Sequence, residues 1–384
     1  MFFVVLYIFM IETKVNQKVK GGIQMKIKHL WKSILVTVLS ISILSACSSG
    51  KKEEVKTDLP LDEIIQKAKK EGKINSLAMP DTWANWKETW EELTSEYGIK
   101  HKDTDMSSAE ELAKFEADKE NASGDIGDVG IAFGPIAVEK DLTIPYKTSY
   151  WNDIPDWAKD DKGNWIVGYT GTIAFLTDKN KVKNPPTSWE DLKNGDYKVS
   201  IGDALVASQA QFAILAAAYA YGGDEKNLQP GIDFYAELAK QGRLSGDPSV
   251  ANIEKGEIEV AILWDFNALG YSSQIDKNRF EITIPKEASV TSGYATVINK
   301  YAKHPYAAML TREYILSDAG QENLAKGFAR PIRENAKLSD DVKALLLPDE
   351  LYKNARPVGD QKAWAEKTKT IPQMWQEKVL IHVK

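Results

Sequence analysis

The sequence predicts a two-domain α/β protein, and three observations lead there. Of 384 residues, about 338 lie beyond an N-terminal segment that reads as a leader. Single cores stop growing near 250–300 residues, so a chain of that length divides. The first half alternates short apolar runs with amphipathic ones, the pattern of a sheet covered by helices. Two long extended runs, "WIVGYTGTIAFLTDK" (165–179) and "RFEITIPKEASVTSGYATVINK" (279–300), have the reach to cross between domains and return.

The elements follow in order. "LDEIIQKAKKEG" carries Leu61, Ile64, Ile65 and Ala68 on one helical face and stops at Gly72. "KINSLAM" (73–79) is a short strand. "DTWANWKETWEELTSEYG" (81–98) is a helix with Trp83, Trp86, Trp90 and Leu93 at helical spacing. In "SSAEELAKFEADKEN", Ser107 or Ser108 caps a helix, with Glu110 or Glu111 three residues later, a capping box. "IGDVGIAF" (126–133) is a strand. "PPTSWEDLKNGDYKVSIGDAL" holds a short helix and then a strand. "ASQAQFAILAAAYAYGG" (207–223) is apolar nearly all round and reads as a buried helix ended by Gly222 and Gly223. "GIDFYAELAKQG" is helical. "DPSVANIEKG" places Asp247 at an N-cap and Pro248 at the first helical position. "EIEVAILWD" (257–265) is a strand, "HPYAAMLTREYILSDAGQENLAKG" gives two helices, and the C-terminal end is helical with Trp364 and Trp375.

The N-terminus has its own logic. Lys26, Lys28 and Lys32 precede the apolar run "SILVTVLSISIL" (33–44), and Ser45 and Ala46 precede Cys47, the single cysteine of the chain. Basic, apolar and small segments in that order make a secretory signal, and the apolar run is short for a span, which needs about 20 residues. A lone thiol cannot form an internal disulfide. "LSAC" (44–47) resembles the lipobox of bacterial lipoproteins, which implies cleavage before Cys47 and its lipidation. Residues 25–46 are then a signal peptide and 47–58 a polar tether. Residues 1–24 hold a second apolar run ahead of a signal that starts well at Met25. "KGGIQ" just before Met25 is encodable as a purine-rich ribosome-binding site. The expectation is therefore that 1–24 is upstream extension; a nucleotide sequence without that purine run would refute it.

Charge and composition exclude several classes. The first 46 residues carry six Lys and one Glu, so the formal charge of −6 becomes −11 beyond them. An acidic chain without a basic block does not suit nucleic acid. The four His (29, 101, 304 and 382) do not pair at metal spacing, no second Cys exists, and no G-x-S-x-G or Walker motif occurs. No metal, cofactor or catalytic residue is therefore assigned, and most carboxylates read as solvated helix faces. A pair of Asp/Glu acting on glycans is the rival from another class.

A binding role suits the pattern better. In open α/β sheets ligands sit beyond the strand ends, where helix N-termini offer free N–H groups. Three such turns stand out: "MPDTWANW" (79–86), "DMSSAEE" (105–111) and "DALVASQAQ" (203–211), which bring in Asp81, Trp83, Ser107, Ser108, Ser208 and Gln209. Simple capping is the plainer role for each Ser, and core packing the plainer role for the Trp stripe. A fourth is "LWDFNALG" (263–270), where Asp265 follows an apolar strand among Trp264, Phe266 and Asn267. A carboxylate among aromatics can hold an ammonium group.

These segments together resemble a known family. The lipobox, the tether, the alternating elements and the two crossing runs are similar to an extracytoplasmic solute-binding protein of an ABC importer. The succession "PPTSWEDLKNGDYKVSIGDA", "VANIEKGEIEVAILWDFNA" and "KHPYAAMLTREYILSDAGQENLAKGFARPIREN" is similar to the type II group of ferric-ion, polyamine, thiamine, sugar-phosphate and aminophosphonate binders. The resemblance covers roughly 73–345. It implies two lobes, each a mixed sheet flanked by helices, joined by two crossovers: 59–168, then 169–285, then a return over 286–384 with C-terminal helices. It also implies a monomer anchored to the outer face of the cell membrane, with a permease as partner. Ferric-ion binders carry adjacent tyrosines after the strand matching "VAILW"; here Asp265-Phe266-Asn267 stand there, leaving Tyr169, Tyr271 and Tyr294. Iron is thereby disfavoured. Asp265 points to an amine and the Ser-bearing turns to an anion, so the expected solute is an aminophosphonate-like zwitterion or a polyamine, with ferric ion or sugar phosphate as alternatives.

Overall fold

The computed structural model describes residues 55–383. Cys47, the signal and the upstream extension lie outside the described residues.

The chain opens with α1 (Leu61–Glu71), which ends where Gly72 takes φ +66° and returns its N–H to the Ala68 carbonyl at 2.9 Å. Ile64 and Ala68 are buried, whereas Leu61, expected on the same face, is exposed. Next come β1 (Lys73–Leu77), α2 (Trp86–Tyr97), β2 (Lys100–Thr104), α3 (Ser108–Asp118), β3 (Ile126–Gly130) and α4 (Phe133–Glu139). The strands β2, β1 and β3 lie side by side in parallel, as alternation of strand and helix requires.

Two departures from the sequence reading occur here. The helix over 81–98 starts only at Trp86, because Ala84 (φ +46°) and Asn85 (φ +56°) are left-handed, with the Asn85 amide donating to the Asn323 carbonyl at 3.0 Å. The loop this leaves, 80–85, becomes a wall of the cleft below. Strand β2, "KHKDT", was not foreseen: its residues alternate between exposed and half-buried at a sheet edge and carry no apolar side chain.

The long run at 165–179 is β4 (Trp165–Asp178), buried along its whole length. It is followed by α5 (Trp189–Asn194), β5 (Val199–Ser200), α6 (Ser208–Ala220), α7 (Gln229–Lys240), α8 (Val250–Glu254), β6 (Val260–Trp264) and α9 (Asp265–Ile275). Helix α8 is capped by Ser249, whose hydroxyl accepts from the Asn252 N–H, and not by Asp247 as expected. The second long run divides into β7 (Phe280–Thr283) and β8 (Ser289–Ile298). The chain ends with α10 (Pro305–Leu316), α11 (Asp318–Lys326), β9 (Arg330–Pro331), α12 (Asp340–Lys343), β10 (Ala355–Arg356), α13 (Gln361–Thr368) and α14 (Ile371–Lys378).

Strands β4 and β8 do carry the chain between two sets of strands. The path runs β2-β1-β3-β8-β4-β6-β5. Residues 165–172 of β4 pair antiparallel with β8, and 173–178 pair with β6 and β7. Hydrogen bonding is therefore continuous along β4 from one set of strands to the other. Gly171 sits at that change of partner: a Cβ there would lie 2.6 Å from the Phe266 ring. Aromatic contacts fix the C-terminal helices to the second set of elements, with Trp364 4.9 Å from Phe212 of α6 and Trp375 5.6 Å from Tyr235 of α7.

Candidate functional site

The C-terminal tip of β3 is the centre of the site. There Gly130 ends the strand with no side chain, and two helix N-termini converge on it. A Cβ on Gly130 would lie 2.5 Å from the Ser208 hydroxyl, at the first residue of α6. The Gly130 N–H donates to the hydroxyl of Ser108, the first residue of α3, at 3.0 Å. The bare glycine lets the two helix starts come close to the strand tip.

Around that point lies a cavity of about 300 Å³. Pro80, Thr82 and Trp83 line it from the left-handed loop; Asp105, Met106, Ser107, Ser108 and Glu111 line it from the start of α3. Asp128 of β3, Tyr294 of β8 and Ser208 and Gln209 of α6 complete it. Such a volume suits a small solute. A larger concavity, about 800 Å³, is lined by Asn180, Asp191, Tyr197 and Glu259, all from one side of the crossing strands, so it is not a cleft between lobes.

The sequence-predicted residues separate into three groups. Trp83, Ser107, Ser108, Ser208, Gln209 and Tyr294 are brought together in this cavity. Asp81 and Asn267 line a neighbouring cavity, also about 300 Å³, with Thr82 shared between the two. Tyr169, Trp264 and Asp265 stand behind the walls. Tyr169 has no exposure; it accepts from Trp83 Nε1 at 2.6 Å and donates to Asp128 Oδ2 at 2.7 Å. Trp264 donates from Nε1 to the Tyr294 hydroxyl at 3.2 Å.

Asp265 requires a correction. Expected as the ammonium anchor, it is buried and fully occupied: Oδ1 accepts from the Thr172 N–H (2.9 Å) and the Phe266 N–H (3.0 Å), and Oδ2 from the Tyr352 hydroxyl (2.5 Å). It ties the crossing strand β4, the start of α9 and the C-terminal segment together. Burial raises its carboxyl above the usual range, and the three donors oppose that rise.

The Trp stripe also divides. Trp86 and Trp90 are core, the latter stacked on His101 at 3.7 Å, while Trp83, freed by the late helix start, packs edge-on against Phe266 (5.3 Å) and Tyr294 (5.5 Å) and faces the cavity. Ser107 is the α3 cap, with its N–H and hydroxyl both directed to the Glu110 carboxylate at 2.8 and 2.7 Å. Its capping role is thus met within the helix end.

Two lining residues were missed by sequence reasoning: Glu111 and Asp128. Glu111 has no exposure, and no donor meets its carboxylate oxygens in good hydrogen-bond geometry, although the Asp128 backbone N–H lies close enough to oppose the rise in its pKa; Asp128 Oδ1 has no partner. Gly127 makes the room, since a Cβ there would lie 2.4 Å from Glu111 Oε2. Burial pushes the Asp128 carboxyl up to about 8, against the Tyr169 hydroxyl that donates to it. Burial, then the nearby Asp128, drive Glu111 well above the usual range. A signal existed for both. Glu111 lies on the Ser108, Leu112 and Phe115 face of the helix, and Asp128 interrupts the wholly buried strand "IGDVG". No Lys or Arg lines the cavity, so the donors it offers an anion are N–H and O–H groups. Among the described residues, no group of three or more His, Cys, Asp or Glu is placed to hold a metal.

Comparison with known proteins bears on the family and the fold. Residues 125–366 match the family model of bacterial extracellular solute-binding proteins. The sulfate-binding protein of Salmonella typhimurium is 29% identical over 205 residues, which is 49% of this chain and 62% of that protein. The chain thus spans under two thirds of the curated relative it matches. Among solved structures, a periplasmic binding protein from Actinobacillus pleuropneumoniae with fructose-6-phosphate bound superposes with a TM-score of 0.67 at 20% identity, covering 79% of this chain and 97% of that one. The ferric binding protein from Campylobacter jejuni gives 0.62 at 18%, covering 79% and 98%. The fold is that of the type II periplasmic binding proteins, and the family-model match over residues 125–366 makes this chain a member of the bacterial extracellular solute-binding proteins.

Proposed function

We propose that this solute-binding protein of the ABC-importer class captures a small solute bearing an oxyanion group in the cavity at the end of β3 and delivers it to a membrane permease. The convergence of the α3 and α6 N-termini on Gly130 carries this reading. Backbone N–H groups and positive dipole ends from two helices, with the hydroxyls of Ser108 and Ser208 beside them, form a receptor for a sulfate, phosphate or phosphonate group. The sulfate-binding relative and the fructose-6-phosphate complex support it, since both ligands present a tetrahedral oxyanion. A catalytic role on glycans finds less support, because the buried carboxyls lie beside oxyanion donors rather than flanking an open groove. Lipidation at Cys47, attachment to the outer membrane face and a monomeric state complete the proposal. Recovery of a Cys47→Ser variant from the medium would support the anchor, and its retention at the membrane with an uncleaved signal would not.

A thermal-shift screen tests the ligand class, because a solute that binds only the folded state stabilises it by RT ln(1 + [L]/Kd). Sulfate, phosphate, 2-aminoethylphosphonate, fructose-6-phosphate, spermidine, thiamine and ferric citrate make the panel. At least one oxyanion should raise the melting temperature, and Ser208→Ala should weaken that ligand about 10- to 100-fold, the worth of one hydrogen bond to a charged group. Stabilisation by spermidine or ferric citrate alone would sink the proposal.

A further inference from the structure

Resting on the oxyanion reading above, we infer that Glu111 and Asp128 are specificity-determining residues that make the site capture an oxyanion only together with a proton, supplied either by the solute or by the carboxyls themselves.

Buried polar atoms in folded proteins are nearly always partnered, so an exception calls for a cause. Glu111 Oε1 and Oε2 and Asp128 Oδ1 are all buried with no donor in good hydrogen-bond geometry, the Asp128 backbone N–H being the one protein donor near Glu111, and both residues line the same cavity as Ser108 and Ser208. Both residues are buried, at 0% and 2% exposure, and Gly127 is kept bare where the Glu111 carboxylate lies. A helix start that served anion binding alone would place only donors in its pocket. Here acceptors stand among the donors.

The surroundings supply no countercharge. From β2, Asp103 faces the pair, and Asp105 follows it. From β4, Tyr169 donates its hydroxyl to Asp128, and from β8, Tyr294 lines the cavity; both hydroxyls stay protonated because burial raises them. From α6 come Ser208 and Gln209, which are neutral. On α3 itself, Glu110 is engaged by Ser107. An ionised carboxyl in this place would repel a dianion across a short, dry distance. With one proton between a carboxyl oxygen and a solute oxygen, repulsion becomes a strong charge-assisted bond. That proton has two possible sources. A hydrogen phosphate O–H or the ammonium of an aminophosphonate brings it with the solute. Sulfate, fully ionised at neutral pH, brings none and must find it on Asp128, whose carboxyl burial raises to about 8, or on Glu111, which burial raises in the same direction.

Isothermal titration of the full chain from pH 6 to 9.5 distinguishes the sources, with sulfate, inorganic phosphate and 2-aminoethylphosphonate as probes. Sulfate affinity should fall about tenfold per pH unit above pH 8, as one-proton linkage requires. 2-Aminoethylphosphonate, which carries its own donor, should hold its affinity about a unit further. Glu111→Gln and Asp128→Asn, each nearly isosteric and able to donate from the amide, should make sulfate binding independent of pH. If only 2-aminoethylphosphonate binds, the two variants should weaken it at least tenfold, because amides cannot match a carboxylate as an ammonium acceptor. Oxyanion binding that is flat with pH and unmoved by both variants would overturn the inference while leaving the oxyanion reading intact. Absence of binding by every oxyanion of the panel would overturn both. Melting curves of the variants show that each is folded.

Discussion

Asp265 and the Asp128–Glu111 pair are all buried acids close to the strand ends that form the cleft, and their hydrogen bonding differs completely. Asp265 receives two backbone N–H groups and one hydroxyl, which leaves neither oxygen without a donor. Asp128 and Glu111 together leave three oxygens with no donor in good hydrogen-bond geometry, all in the wall of a cavity. The first arrangement is architecture: a carboxylate acting as a joint between β4, α9 and the segment carrying Tyr352. The second is incomplete until something else enters. Position at a strand end and an aromatic neighbourhood fit both, so only a census of donors tells them apart.

Replacement of the joint should have the largest effect. Asp265→Ala orphans the N–H groups of Thr172 and Phe266 and the Tyr352 hydroxyl, at about 1–3 kcal/mol for each buried group left unpaired. A loss of roughly 3–5 kcal/mol in denaturant unfolding is expected. A loss under about 1 kcal/mol, accompanied by abolished solute binding, would reverse the comparison and return Asp265 to the ligand.

The open pair should be visible in stability against pH. Asp128 binds its proton more tightly folded than unfolded, so stability is lost as pH rises towards its folded value of about 8. Glu111, raised by burial, acts with the same sign in the same cavity, and groups elsewhere share part of this range. His101, lowered to about 4 by burial, acts with the opposite sign below its unfolded value near 6.5. Glu71, raised to about 7 by burial, acts with the same sign up to that value. The window above the Glu71 value is therefore pH 7–8, across which Asp128 should cost the ligand-free protein on the order of 1 kcal/mol. Asp128→Asn should reduce that loss, and Asp265→Asn should not. Equal slopes in the two variants would remove the distinction between them.

How much of this was legible in the sequence follows from the same contrast. The crossing strands, the buried helix α6 and the capping box at Ser107 follow from period, length and local chemistry, all of which the chain writes locally. Strand β2 did not follow, because "KHKDT" has no apolar residue to mark it. Trp83 could not be separated from Trp86 by spacing, since the left-handed pair Ala84-Asn85 that breaks the helix depends on a tertiary contact with Asn323. Glu111 was hidden by Glu110: adjacent acids after Ser107 look like one capping box, and only the buried face shared with Leu112 and Phe115 shows that they point to different places. Tyr352, nearly ninety residues beyond Asp265, shows why the joint was unreadable: its donor comes from a distant segment with no local signal.

The smallest effect is the one that isolates Ser107 from Ser108. Both belong to one turn and both line the cavity, yet Ser107 spends its hydroxyl and N–H on Glu110, whereas Ser108 receives the Gly130 N–H. Ser107→Ala should therefore cost about 0.5–1 kcal/mol of stability as a lost cap and leave the affinity for the bound oxyanion within about twofold. Ser108→Ala should lower affinity, since it frees Gly130 at the strand tip that both helices address. If Ser107→Ala cut affinity as much as Ser108→Ala, its bond to Glu110 would have to be one that the solute displaces. The capping carboxylate would then be a competitor for the site, not a neighbour of it.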